Sequence, residues 1–340
     1  MENNILLYWK TIEDWLVTNN YPAPDCFAKG ATEEEITAFE TGQKQRLPKD
    51  FRQSLTIYNG QAEYAYVLRF YRYWSGFNLF SLNEIREAII QRRLRAGEIT
   101  DELVAAGEKL ILNEIPIGES NDNDILLDLN TGKLRLTSHD GDPSRICPSF
   151  SRLLQYNADC YAAGKFYFDT QFKNIQTRDT DEMLQLIKTI PGIDDYFNMP
   201  LDSSDVQEMI EQLNKSYEPE KDFYYNLFGV PSMLNSEFFN GQSKDEFLFS
   251  DGKTFYRFLS MEQIQIQFEK NYSYFKYENL FSLPLFIDNS GKKYVLVVLN
   301  EEDYKHKLIL RDENGFSECD FDFDDFLAFS YKNMLSVINE

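Results

Sequence analysis

The chain has 340 residues, 43% of them hydrophobic and 15% aromatic, with 56 acidic against 34 basic side chains and a net charge of -22. That length holds two cores, and the composition is globular, not disordered. The negative field disfavours nucleic acid and anionic membrane as partners and favours a basic one. Residues 1–170 carry 18 basic and 25 acidic groups and the remainder 16 and 31, so the second half is the more acidic. The four cysteines (Cys26, Cys147, Cys160, Cys319) are scattered and read as reduced thiols. Met1–Asn4 opens no apolar leader, and the run Tyr294–Leu299 is far too short for a span, so a cytoplasmic protein is expected.

In chain order, Ile5, Tyr8, Trp9, Ile12, Trp15 and Leu16 recur at helical spacing, and Tyr21-Pro22-Ala23-Pro24 ends that helix. Thr32-x-x-Glu35 is a capping box opening a second helix. Pro48 bends the chain, and Phe51, Leu55 and Tyr58 predict a third helix stopped by Asn59-Gly60. Strands are predicted at Ala65–Phe70 and Phe77–Phe80, and a helix over Leu82–Arg95. A meander follows through Leu110–Leu112, Ile115–Gly118, Ile125–Leu129 and Leu134–Leu136, with Asn130-Thr131-Gly132 as a hairpin turn. Ser149 caps a last helix carrying Phe150, Leu153 and Leu154. Residues 165–180 read as the joint to a second half. That half has a helix at Asp181–Ile190 and a capping box at Ser204-x-x-Gln207. Its strands fall at Glu246–Phe249, Thr254–Phe258, Leu283–Ile287, Tyr294–Leu299 and Lys307–Leu310, and a final helix starts near Asp324.

The two halves repeat one another in order. Leu47-Pro48-Lys49-Asp50-Phe51 with Leu55 returns as Pro219…Phe223 with Leu227, and Glu40…Pro48 as Glu211…Pro219. Ser81-Leu82-Asn83-Glu84-Ile85 returns as Ser260-Met261-Glu262-Gln263-Ile264, and the run around Pro116 returns around Pro284. The tryptophans are lost, and Phe228-Gly229 stands for Asn59-Gly60. A period of about 170 residues is too long for a solenoid and fits two tandem domains, 1–165 and 180–340.

No motif carries chemistry in either half. Asp320-Phe321-Asp322-Phe323-Asp324-Asp325 lacks the glycine and the twelfth-position glutamate of a calcium loop, and reads as a strand whose acidic end caps a helix. Asn121-Asp122-Asn123-Asp124 and His139-Asp140-Gly141-Asp142 read as turns, although an acidic turn around a metal keeps an enzyme as the weakest alternative. Neither His139 nor His306 has ligand spacing, and no phosphate loop or nucleophile elbow is present, so no cofactor is implied. Cys147 before Pro148-Ser149 reads as a packing residue. Gln91-Arg92-Arg93-Leu94-Arg95 is the only basic cluster and reads as a solvated helix end or a contact to the acidic second domain.

The helix with Trp9 and Trp15, the opening Gly30–Ile36, Glu40, Leu47–Phe51, Leu55, Asn59-Gly60, Pro116-Ile117-Gly118, Asp128 and Pro148-Ser149-Phe150 together resemble the SUKH superfamily. Within it they resemble the Smi/Knr-like proteins named for a fungal cell-wall-synthesis regulator, over about residues 5–160. The second half looks like a divergent copy. The resemblance implies an α+β fold, with helices packed on a curved, mostly antiparallel sheet, and a non-enzymatic role. Bacterial members are thought to be immunity proteins that neutralise polymorphic toxins, and fungal members are interaction hubs. It carries over no catalytic residue; Trp15, Glu40, Pro48, Phe51, Asn59, Gly60, Pro116, Gly118, Asp128 and Phe150 are expected to be mainly architectural. The expected partner is a basic toxin domain, docked on Glu119, Asp122, Asp124, Asp140, Asp142, Asp320, Asp322, Asp324 and Asp325. A regulatory scaffold is the alternative.

Overall fold

The structure, a computed structural model, describes residues 4–21, 26–62, 65–70, 76–95, 113–120, 123–137, 145–171, 174–198, 241, 246, 248–271, 276–277, 280–298, 308–319 and 322–338. It is a mixed α+β protein with antiparallel sheets. The chain divides into two compact units, Met1–Ala162 with Phe166–Thr177, and Ala163–Lys165 with Arg178–Glu340.

In the first unit α1 (Ile5–Thr18) buries Ile5, Trp9, Ile12 and Leu16 on one face, the stripe its spacing predicts. The Thr32–Glu35 box opens α2 (Glu33–Gln43), with both reciprocal bonds formed. Pro48 starts α3 (Lys49–Ile57). That helix stops two residues short of Asn59-Gly60, because Tyr58–Gln61 is strand β2, paired with β1 (Phe27–Lys29). Asn59 serves the next helix instead: its Oδ1 accepts the Leu82 N–H at 2.9 Å.

The main sheet of this unit is a meander, β3 (Leu68–Arg69), β4 (Gly76–Leu79), β5 (Glu114–Ser120), β6 (Asn123–Asp128), β7 (Leu134–Leu136) and β8 (Arg145–Cys147), each strand beside the next. α4 (Leu82–Arg95) is inserted between β4 and β5, opened by a Ser81–Glu84 capping box. Pro116 sits within β5, where a proline removes a ladder donor, and the β5–β6 register shifts there between Pro116 and Gly118. α5 (Phe150–Ala162) follows and packs on α1. Its Asn157 closes the free edge of β3: Oδ1 accepts the Arg69 N–H at 2.8 Å, and Nδ2 donates to Arg69 O and Leu153 O, each at 2.9 Å. An amide side chain thus takes the place of a missing strand. Residues 165–180, read from sequence as the joint, contain the hairpin β9 (Phe166–Asp169) and β10 (Asn174–Thr177), which belongs to the first unit.

In the second unit α6 (Thr180–Lys188) opens on an Asp179–Glu182 capping box and buries Met183, Leu184 and Ile187. Its sheet runs β11 (Phe249–Ser250), β12 (Phe255–Phe258), β14 (Leu280–Asp288), β15 (Tyr294–Val298), β16 (Leu308–Asp312) and β17 (Gly315–Glu318), with the short β13 (Lys276–Tyr277) also on β14. α7 (Met261–Asn271) lies between β12 and β13, opened by Ser260 and Gln263 in reciprocal bonds. The β14–β15 register shifts between Pro284 and Phe286. α8 (Phe323–Ile338) follows β17 and packs on α6. Ser330 Oγ accepts the Ser250 N–H of β11 at 3.1 Å and donates to Phe326 O at 2.7 Å, and Asn333 Nδ2 donates to Leu248 O. Phe249, Phe258, Phe286 and Phe326 form the centre of this core.

Candidate functional site: an acidic sheet end and its frame

The residues expected to be architectural have structural partners. Trp15 is half-buried with its ring 4.6 Å from that of Tyr161, while Trp9 donates to Ser54 Oγ at 2.9 Å. Glu40 accepts the Leu47 N–H at 3.0 Å and lies 3.4 Å from Arg52 Nε, which holds the loop ahead of Pro48. Phe51 and Phe150 meet edge to face at 5.0 Å. Asp50 joins the same two helices: its Oδ2 accepts the Ser151 N–H at 2.8 Å. Gly60 has φ +93, and a Cβ there would meet Phe80 C at 2.9 Å as well as the Ser81 nitrogen. Gly118 faces Asn78 O too closely for any side chain. Asp128 accepts the N–H groups of Asn130 and Thr131. The Thr131 N–H leads in holding its carboxyl below the usual range.

The second unit has a glycine in the same relation to its capping serine. Gly241 has φ +71, and a Cβ there would meet Leu259 C at 2.8 Å and the Ser260 nitrogen. In sequence it stands in Asn240-Gly241-Gln242, as Gly60 stands in Asn59-Gly60-Gln61. The sequence comparison expects the second half to lack the Asn-Gly. Phe228-Gly229, offered in its place, lies outside the described residues, as do the strings Glu211–Leu227 and Ser204–Gln207.

Of the proposed docking carboxylates, Asp122, Asp140, Asp142 and Asp320 lie outside the described residues, with His139 and His306. Glu119 and Asp124 face each other across the β5–β6 ladder. Like charges opposite one another destabilise a sheet by roughly 0.2–1 kcal/mol. Arg92 offsets part of this, 3.5 Å from Asp124. The basic cluster thus supplies one half-exposed arginine to a carboxylate of its own unit. Glu119 is exposed and, among the described residues, makes no ion pair. The β5–β6 and β7–β8 connections leave the same end of the meander, where Thr137 Oγ1 accepts the Asp124 N–H at 2.8 Å.

The carboxylates of the second unit are arranged differently. Asp322 is the N-cap of α8: its Oδ1 accepts the Asp325 N–H at 2.9 Å, and Asp325 Oδ2 accepts the Asp322 N–H at 3.3 Å. Asp324 is half-buried. Asp325 is 0% exposed and paired with Lys165, itself 3% exposed, so it offers no charge to a partner; its assignment to a docking face is corrected. Burial, then the Asp322 charge, pushes its carboxyl up to about 6 against the pull of Lys165. The sequence hides this because the hydrophobic positions of α8 (Phe323, Phe326, Leu327) carry Asp325 inward with them.

All four cysteines are buried thiols. Among the described residues no group of three or more His, Cys, Asp or Glu is placed to hold a metal, and no helix is long and apolar enough to cross a membrane.

Residues 30–156 match the model of the SMI1 / KNR4 family (SUKH-1). That family includes immunity proteins and Smi1/Knr4 regulators and is generally non-catalytic. The match ends within α5 and includes none of the second unit. No curated protein matches the chain.

Proposed function

We propose that this chain is a protein-binding protein made of two SUKH-like domains, the second a diverged copy of the first, and that it acts in the cytoplasm as an immunity protein. It blocks the active site of a basic toxin domain by steric cover and charge, and performs no catalysis of its own. The family match supports the class of function, and the motif residues support it further, since they are spent on helix caps, turns and core.

The observation that carries the two-copy reading is the register of the two sheets. Phe80 donates to Ile117 O and Leu259 to Leu285 O, which pairs Pro116 with Pro284, each at its register shift. Following the ladders outward pairs Leu134 with Leu308 and Cys147 with Cys319, each cysteine shortly before the last helix of its unit. Asn157 and Ser330 then close the edge of the first sheet strand in their units, each also bonded to the carbonyl four residues back. Unrelated folds have no reason to share a strand order, an interrupted ladder and a sealing residue at matching positions.

The docking surface proposed in the first unit is the sheet end bearing Glu119 and Asp124, whose mutual repulsion a cationic partner relieves. Co-expression with any toxin domain found encoded beside the gene tests the immunity reading. Survival that is lost on changing Glu119 and Asp124 to lysine supports it. Cells that die with or without the chain, or the absence of any such neighbour, favour the regulatory scaffold.

A further inference from the structure

Helix α1 is apolar on its outer face as well as its inner one. Ile5, Trp9, Ile12 and Leu16 are buried in the core of the first unit, and Leu6, Leu7, Lys10, Asp14 and Val17 lie on the opposite side, all exposed. Leu6 and Val17 are each 64% exposed and Leu7 57%. Seven large hydrophobic side chains are exposed among the described residues, and three of them share this one helix face. Single apolar residues are ordinary on a surface, but a cluster along one helix marks a contact. A helix face that met only water would carry polar groups at these positions.

The spacing and charge of the stripe point to its occupant. Leu7, Lys10, Asp14 and Val17 follow one another by three, four and three residues, the spacing of a helix-pair seam. Read in order the stripe is apolar, basic, acidic, apolar, which complements itself only when reversed. A second α1 laid antiparallel, across a two-fold axis level with Ile12, sets Leu7 against Val17 of the copy and Lys10 against Asp14 of the copy. The symmetry gives each of these contacts twice, and Leu6 adds apolar area at both ends. Parallel pairing would set Lys10 against Lys10 and Asp14 against Asp14, which repel. Among the described residues neither Lys10 nor Asp14 makes an ion pair within the chain, so both are available to a copy.

This stripe is charge-balanced, unlike the sheet end with Glu119 and Asp124, and so suits a second copy better than a strongly basic protein. One short helix face covers less than the roughly 800 Å² per partner of a standard stable interface. The association is therefore weak and reversed by dilution.

We propose that the outer face of α1 is a self-association surface, through which two copies of this chain pair antiparallel about a two-fold axis. The inference does not rest on the partner reading.

Sedimentation velocity of the full chain over a range of concentrations tests it, with circular dichroism to confirm that each variant is folded. A reversible monomer–dimer equilibrium is expected. Val17→Glu puts a charge against Leu7 of the copy and abolishes the dimer. Lys10→Asp and Asp14→Lys each set like charges across the seam twice and weaken dimerisation about tenfold. Mixing those two variants restores it, because every facing pair is then of opposite sign. A chain that stays monomeric at every concentration overturns the proposal. A dimer indifferent to Val17→Glu, or a mixture that associates no more tightly than either component alone, overturns it as well.

Discussion

Replacing Lys165 by methionine isolates a fully buried charge pair of the second unit. The change keeps the length of the stem and removes the cation paired with Asp325. Burial holds the Asp325 carboxyl at about 6 against a usual 3.8 even with that cation present. The group is fully buried, so at about 1.4 kcal/mol per pH unit the shift corresponds to roughly 3 kcal/mol. Because the folded value is raised, this contribution to stability is fully present below about pH 4 and is lost as pH rises through about 6. Without Lys165 the carboxyl moves further up. Lys165→Met is therefore expected to cost about 3–5 kcal/mol at pH 8, where a buried carboxylate has lost this cation, and much less at pH 5, where Asp325 is protonated in both proteins. Lys165→Met combined with Asp325→Leu restores most of the loss at pH 8, since an apolar pair needs no partner. All three tryptophans (Trp9, Trp15, Trp74) precede the second unit, so urea unfolding is followed by far-ultraviolet circular dichroism alongside tryptophan fluorescence. An equal loss of stability at pH 5 and pH 8, or a double variant no better than the single one, refutes the reasoning.

Asn157→Ala leaves a buried N–H and C=O of Arg69 unmet and is expected to destabilise the first unit by about 2–4 kcal/mol, with Ser330→Ala costing the second about 1–3 kcal/mol; urea melts of each variant check both. Gly60→Ala and Gly241→Ala each force a side chain onto backbone at positive φ and should lower the stability of their own units by more than about 1 kcal/mol; a neutral Gly241→Ala would break the parallel between them. Glu119→Gln removes a like-charge pair and is expected to stabilise the first unit by up to about 1 kcal/mol in the same melts while weakening partner binding. Asp128, held below its usual range, contributes stability above that range that is lost on acidification, and Asp128→Asn flattens the acid limb of the first unit's pH profile.

What the sequence revealed followed from short-range rules. The Thr32–Glu35 box, the stripe on α1 and the Asp128–Gly132 turn are local, and each forms where its pattern falls. Asn59-Gly60 reads as a helix stop, but the conformation of Tyr58–Gln61 is set by pairing with Phe27–Lys29, some 30 residues away. The hairpin over 166–177 was illegible for a similar reason: its aromatic residues find Tyr21, Arg69 and Tyr161, which no local period signals. Asp325 shows the limit for charge, since an acidic run looks solvated until a buried lysine 160 residues earlier pairs with one member. Pro116 and Pro284 have similar apolar surroundings in sequence, and each lies at a register shift of its own ladder.

The proposed recognition of a basic protein through a negative surface is read out by stopped-flow association with a basic toxin domain across a range of salt. The association rate is predicted to fall steeply as salt rises, and to fall further on changing Glu119 and Asp124 to lysine, while dissociation changes little. A rate indifferent to both salt and those substitutions would contradict it.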